Sequence, residues 1–263
     1  MTGDILSLYP PEERPSRLRL SALLEDWKRE TAKSTVVWRA DGKPYPGDSY
    51  FAADGFLPYY YRWNPKVLFI ARETRYIARQ DNIEIILKKC RENPGGIGGE
   101  ILLRRMLLIA YGIRHGGTVP FEAIDPRQLC ALAGTDSGFS FAFMEISKYS
   151  NENDDGANAD TELMRSFFEH SNLQNRNFIR EELSLLDPDL VITMNLWDGK
   201  IAAEYLELAL GKAPFIDMPH PSAARRSLVI NGRTRPLIDL YHFSARKSDG
   251  EDFYKPVMSI IRS

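Results

Sequence analysis

Cysteine is nearly absent from this chain, with two among 263 residues, Cys90 and Cys130. Two isolated thiols exclude a disulfide framework and fall short of the ligand set an iron–sulfur cluster usually takes. Long apolar runs are missing too: nothing approaches the roughly 18 consecutive residues of a membrane span, so no membrane partner is expected. Met1 to Pro11 lacks a basic segment followed by an apolar core, which argues against a signal peptide. With so little cysteine, a reducing, cytoplasmic location is expected. Net charge is small, −2, so the chain is not a globally basic nucleic-acid binder. Internal repeats, low-complexity segments and a linker between two domains are also lacking. One α/β domain over 1–263 is expected, with an N-terminal helix and aromatic-rich loop (1–64) packed on a core (65–262).

Short apolar runs alternate with helical patterns. Val67 to Ile70, Phe139 to Ile146, Leu190 to Met194 and Leu237 to Tyr241 read as four strands buried on both faces. Helices are predicted at Ser16–Ala32 after Pro15, near 81–91, at Glu100–Arg114, from Asp125-Pro126 to Ala133, at about 161–170 and 175–186, at Asp198–Leu210 and from Glu251. Phe215–Met218 reads as a short strand, and Asn231-Gly232 suits a type I′ hairpin turn. Residues 39–64, rich in rings, read as an ordered loop. Strands alternating with helices predict a three-layer α/β/α sandwich around a four-stranded parallel sheet.

Open α/β sheets place ligands at the carboxyl ends of their strands, so those ends hold the candidate residues. The first strand ends in Arg72-Glu73-Thr74-Arg75-Tyr76, the second in Glu145 and Lys148, and the third runs into Asn195. The last ends in His242, Ser244 and Arg246. A carboxylate with a histidine suits water activation and support of a leaving anion. Lys148 reads either as a phosphate holder or as an ion-pair partner of Glu145. Trp63 and the tyrosines before it read as core cover or as a stacking platform. Two segments are locally basic. Residues 62–91 hold eight Lys/Arg against three acids, and 220–247 hold six against Asp239 alone, each net +5. Meeting in space, they would form a polyanion-binding face.

The order of these motifs resembles the uracil-DNA glycosylase superfamily, especially its uncharacterised bacterial members, over residues 65–262. Those members carry Gly-Gln-Glu-Thr where this chain has Ala71-Arg72-Glu73-Thr74. The resemblance implies that Glu73 positions water and His242 supports the departing base. Glu145 falls where many members read the base with Asn, and Phe243 to Arg246 would press into the DNA minor groove. His220-Pro221-Ser222 is the competing histidine motif, closer in text to the family's His-Pro-Ser; His242 is preferred because its strand leads into the closing helix. Tyr149 stands where cluster-bearing members have a cysteine, and no cofactor is implied.

The expected function is therefore hydrolysis of the N-glycosidic bond of a damaged or unusual base flipped from DNA, with DNA or a nucleotide as partner. A non-catalytic nucleic-acid or nucleotide binder and a small-nucleoside hydrolase are the alternatives. Asn93 to Gly99 reads as a flexible helix entry more than a phosphate cradle. Asn151 to Glu162 has calcium-loop spacing with the wrong first and eighth residues, so it reads as a solvated acidic loop and no metal is expected.

Overall fold

The computed structural model describes residues 5–37, 42–92, 99–152 and 159–263. Its centre is a seven-stranded sheet, ordered β3-β5-β4-β6-β9-β8-β7. Those strands are β3 (Gly55–Phe56), β4 (Val67–Arg75), β5 (Ala142–Asn151), β6 (Leu190–Met194), β7 (Phe215–His220), β8 (Ala223–Ile230) and β9 (Arg233–Leu240). A small hairpin, β1 (Thr35–Val37) with β2 (Pro44–Pro46), stands apart from it. The expected sheet of four strands is thus too small. The four predicted strands lie in β5-β4-β6-β9, which run parallel, and antiparallel strands extend both edges. Of the extra strands, β7 contains the short strand expected at Phe215–Met218 and β8 is one arm of the expected hairpin; the Arg, Pro, Asp and His in these two give a half-exposed pattern, unlike the unbroken apolar runs of the central four. Asn231 and Gly232, at φ 50° and 72°, make the tight turn between β8 and β9.

Eight helices among the described residues cover the sheet: α1 (Arg14–Thr31), α2 (Asn82–Glu92), α3 (Ile101–Arg114), α4 (Pro126–Leu132), α5 (Thr161–His170), α6 (Phe178–Leu186), α7 (Ala203–Leu210) and α8 (Lys255–Arg262). Side chains alternate along a strand, so β4 feeds two cores. Leu68 and Ile70 pack with α1, α5, α6 and α7 on one face, while Val67, Phe69 and Ala71 pack with α2, α3, α4 and α8 on the other. Local chemistry sets the helix starts. Pro15 occupies the first turn of α1, and Asp125, Asp160 and Asn177 cap α4, α5 and α6 through side-chain oxygens. None of the helices among the described residues is long and apolar enough to cross a membrane.

Two boundaries differ from expectation in ways that matter. β5 runs to Asn151, well past Ile146, and a bulge near its end sets Arg75 opposite Asn151 although Glu73 faces Ser147. Glu145 and Lys148 therefore sit inside the strand. α7 begins at Ala203 and not at Asp198, because the Asp198 carboxylate accepts the Lys200 N–H at 2.9 Å and holds the chain in a turn. Residues 93–98 and 153–158, most of the glycine-rich entry and the middle of the calcium-like loop, lie outside the described residues.

Candidate functional site

From β4 the chain crosses to β5 on one side and then to β6 on the other. The order reverses at β4, and such switch points open a crevice beyond the strand ends. A cavity of about 400 Å3 lies there, lined by Arg72, Glu73, Thr74 and Arg75 of β4, Phe143 and Glu145 of β5, and His242 and Ser244 after β9. Asn82, Ile85, Ile86 and Lys89 of α2 and Leu102, Leu103 and Met106 of α3 close its far wall.

Glu73 is held by one oxygen. Its Oε1 accepts from the Asn151 side-chain amide and from the Asp160 backbone N–H, both at 3.0 Å. Its Oε2 is buried with no hydrogen-bond partner among the described residues. Burial raises the Glu73 carboxyl above the ordinary range, and the Asn151 and Asp160 donors with the Arg75 charge hold that rise back. Arg72, 8% exposed, turns to Asp198 at 2.8 Å, and Asn195 Nδ2 donates to the same Asp198 oxygen at 3.0 Å. Asn195 thus reaches the site only through Arg72. Asp239 pins this turn by accepting from Thr193 and from the Leu196 N–H, and burial pushes it up to about 6.

His242 is oriented by its own loop. Nδ1 lies 2.6 Å from Ser244 Oγ and accepts the Ser244 N–H at 3.3 Å. A backbone N–H can only donate, so Nδ1 is the acceptor and the neutral ring carries its proton on Nε2. Burial and the neighbouring Arg72 charge lower His242 to about 4. The Asp198 charge opposes this shift without cancelling it. At neutral pH the group is an uncharged N–H donor on the cavity wall.

Glu145 is 4% exposed, and its Oε2 has no partner among the described residues. Its backbone N–H donates to Asp54 Oδ2 at 2.7 Å. Burial and then the Asp54 charge raise the Glu145 carboxyl well above the ordinary range, against the opposing charge of Lys148.

Several expected residues lie elsewhere. Lys148 is fully buried between Asp54 Oδ2 at 2.6 Å and Glu182 Oε2 at 2.8 Å, so it is neither a phosphate holder nor a partner of the Glu145 side chain. It donates to the Glu145 carbonyl at 2.9 Å. His220 has the same Ser-locked geometry as His242 but lines a different cavity, beside α8. Tyr76 and Arg246 are exposed and outside the cavity wall. Trp63 stacks under Arg114 at 4.1 Å, away from the strand ends, while Tyr50 and Tyr60 are core residues.

Several cations of the two basic segments are ion-paired. Arg62 pairs with Asp136, Lys66 with Asp187, Arg225 with Asp217, and Arg235 with Asp187 and Asp189. Sequence counting missed this because the neutralising acids come from distant segments. It also missed Asn82, Asn151 and Asp160, ordinary polar residues that only the fold brings to Glu73 and its cavity.

No protein-family model matches the chain, and none of the curated proteins compared with it does. Among solved structures, a domain of unknown function from Bordetella bronchiseptica, a domain-swapped dimer with bound citrate, matches at 9% identity and a TM-score of 0.30. The match covers 75% of this chain and 41% of that one, so this chain spans less than half its length. A likeness this slight carries no inference about architecture or site.

Proposed function

We propose that this protein hydrolyses an N-glycosidic bond, in the manner of the uracil-DNA glycosylase-like enzymes its motif order resembles. The observation that carries the reading is the meeting of Glu73, Glu145 and His242 on one cavity wall at the switch point of the sheet. In this reading Glu73, whose Oε2 has no partner among the described residues, orients and deprotonates a water, and the neutral His242 donor supports charge on the departing base. A base inside a duplex is out of reach of such a cavity and has to be flipped into it.

A small-nucleoside hydrolase is the second reading, favoured by the ion-paired arginines, which leave less free positive charge for a polymer backbone. Base-release assays on a panel of modified oligonucleotides and the matching free nucleosides test both. Release that depends on Glu73 supports the proposal, and the form of substrate consumed separates the two readings. No release from any substrate, with wild type matching Glu73→Ala, removes both.

A further inference from the structure

We propose that Glu145 is the general acid of this cavity and that the base it releases carries an exocyclic amino group, as adenine- and cytosine-type bases do. The assignment rests on the hydrolase reading above and names its substrate class.

The geometry contrasts two carboxyls on adjacent parallel strands. Glu145 pairs in register with Ala71, two residues before Glu73, so both side chains belong to one face. Glu73 receives two N–H donors, which favour its ionised form. Oε2 of both carboxyls is buried without a partner among the described residues, so the Asn151 and Asp160 donors on Glu73 Oε1 are what set the two apart. Asp54 lies behind it, holding its backbone N–H, and Glu73 lies on the neighbouring strand. The cations around the cavity are engaged elsewhere: Arg72 with Asp198, Lys89 with Glu100, and Lys148 with Asp54 and Glu182. Arg75 also lines the wall, two residues after Glu73 at the end of β4. Where two titratable groups in one site sit in such different environments, the more deeply buried one keeps its proton and the one that accepts N–H hydrogen bonds loses it. The raised Glu145 carboxyl agrees with this division.

A neutral carboxylic acid presents an O–H donor and a carbonyl acceptor side by side. An amino-bearing base offers the matching pair, an amino N–H beside a ring nitrogen. Such a base departs poorly as an anion and needs a proton on a ring nitrogen, whereas an imide-type base leaves as an anion that a donor alone supports. Asn82 Nδ2 and Arg72 Nε, which belong to residues lining the same cavity and are buried without partners among the described residues, add donors for further ring acceptors.

The step balances as hydrolysis. The water oxygen bonds to the sugar carbon and its proton passes to Glu73. The carbon–nitrogen bond breaks with its electron pair going to the base, and the Glu145 proton moves to the ring nitrogen. The products are a neutral base and a sugar with a hydroxyl in its place, and proton exchange through solvent resets the two carboxyls.

Two measurements test this. Difference infrared spectroscopy of wild type against Glu145→Gln at pH 7 reads the protonation of Glu145; a carboxylic-acid carbonyl band lost in the variant is expected. Base release from oligonucleotides and nucleosides bearing amino-type or imide-type bases reads the substrate class. Release of an amino-type base, slowing as pH rises, with Glu145→Gln reduced roughly 100-fold or more, is expected. An ionised Glu145 at pH 7, or release of imide-type bases alone with Glu145→Gln unimpaired, overturns the assignment while leaving the hydrolase reading in place. A protonated Glu145 with no release from any substrate overturns the hydrolase reading and this assignment together.

Discussion

The side-chain amide of Asn151 donates to Glu73 Oε1 at 3.0 Å, and Oε2 of the same carboxylate is buried without a partner among the described residues. This bond crosses from β5 to β4 just where the bulge in β5 shifts the register. It leaves one oxygen of the carboxylate hydrogen-bonded and the other unbonded. Glu73→Gln keeps the shape and removes the base, so base release is expected to fall by about 10²–10⁴-fold with little change in ligand affinity. Single-turnover kinetics beside equilibrium binding would check the split.

Asn151→Leu removes the donor from Glu73. A hydrogen bond to a charged group is worth about 1.5–3 kcal/mol, and here it favours the ionised form. The Glu73 titration is therefore expected to move up, and the acid limb of the rate profile with it. Carboxyl carbon NMR across a pH series would follow the shift directly; an unmoved titration would show that Asp160 and Arg75 suffice.

His242 titrates near 4 instead of the usual 6.5. The unfolded chain takes up a proton between those values and the folded chain does not. Stability is therefore expected to fall as pH drops from about 6.5 to about 4, and His242→Gln should lose that portion of the slope. Nitrogen NMR of the imidazole should show the proton on Nε2 at neutral pH.

Glu145 shifts the other way. The unfolded carboxyl releases its proton near 4.5, while the folded one keeps it to higher pH. The folded state then holds the extra proton, so this group makes stability fall as pH rises from 4.5. Urea unfolding of Glu145→Gln is expected to show a gain over wild type at neutral pH that vanishes in acid.

Lys148 holds two buried acids, Asp54 and Glu182, between the aromatic core of α1 and the sheet. Removing one member of a buried ionic cluster typically costs about 3–5 kcal/mol, because the remaining charges stay buried. Lys148→Met is expected to lose roughly that much in denaturant unfolding.

Much of the frame was legible in the chain. Val67–Ile70 and Leu190–Met194 are unbroken apolar runs, and such runs fold as strands covered on both faces. Pro15, Asp125-Pro126 and Asn231-Gly232 act through local backbone chemistry that no tertiary contact needs to supply. Glu73 and His242 could be placed at strand ends because each follows an apolar run, and both line one cavity. Phe215–Met218 was legible as part of edge strand β7, while β3, the full extent of β7 and β8 and the end of β5 were not, since their polar residues take partners from other segments. Lys148 is the clearest case: a lysine after a strand looks solvated until Asp54 and Glu182 are placed on it.

The amino-acid sequence by itself determined the alternation of strands and helices and the two motifs at their ends, because periodicity, capping and turn preference act over a few residues. Only the tertiary structure decided which charges are neutralised, which of His220 and His242 shares a cavity with Glu73, and which carboxyl in that cavity is desolvated. Those outcomes depend on burial and on Coulomb contacts between segments many tens of residues apart, which no local pattern encodes.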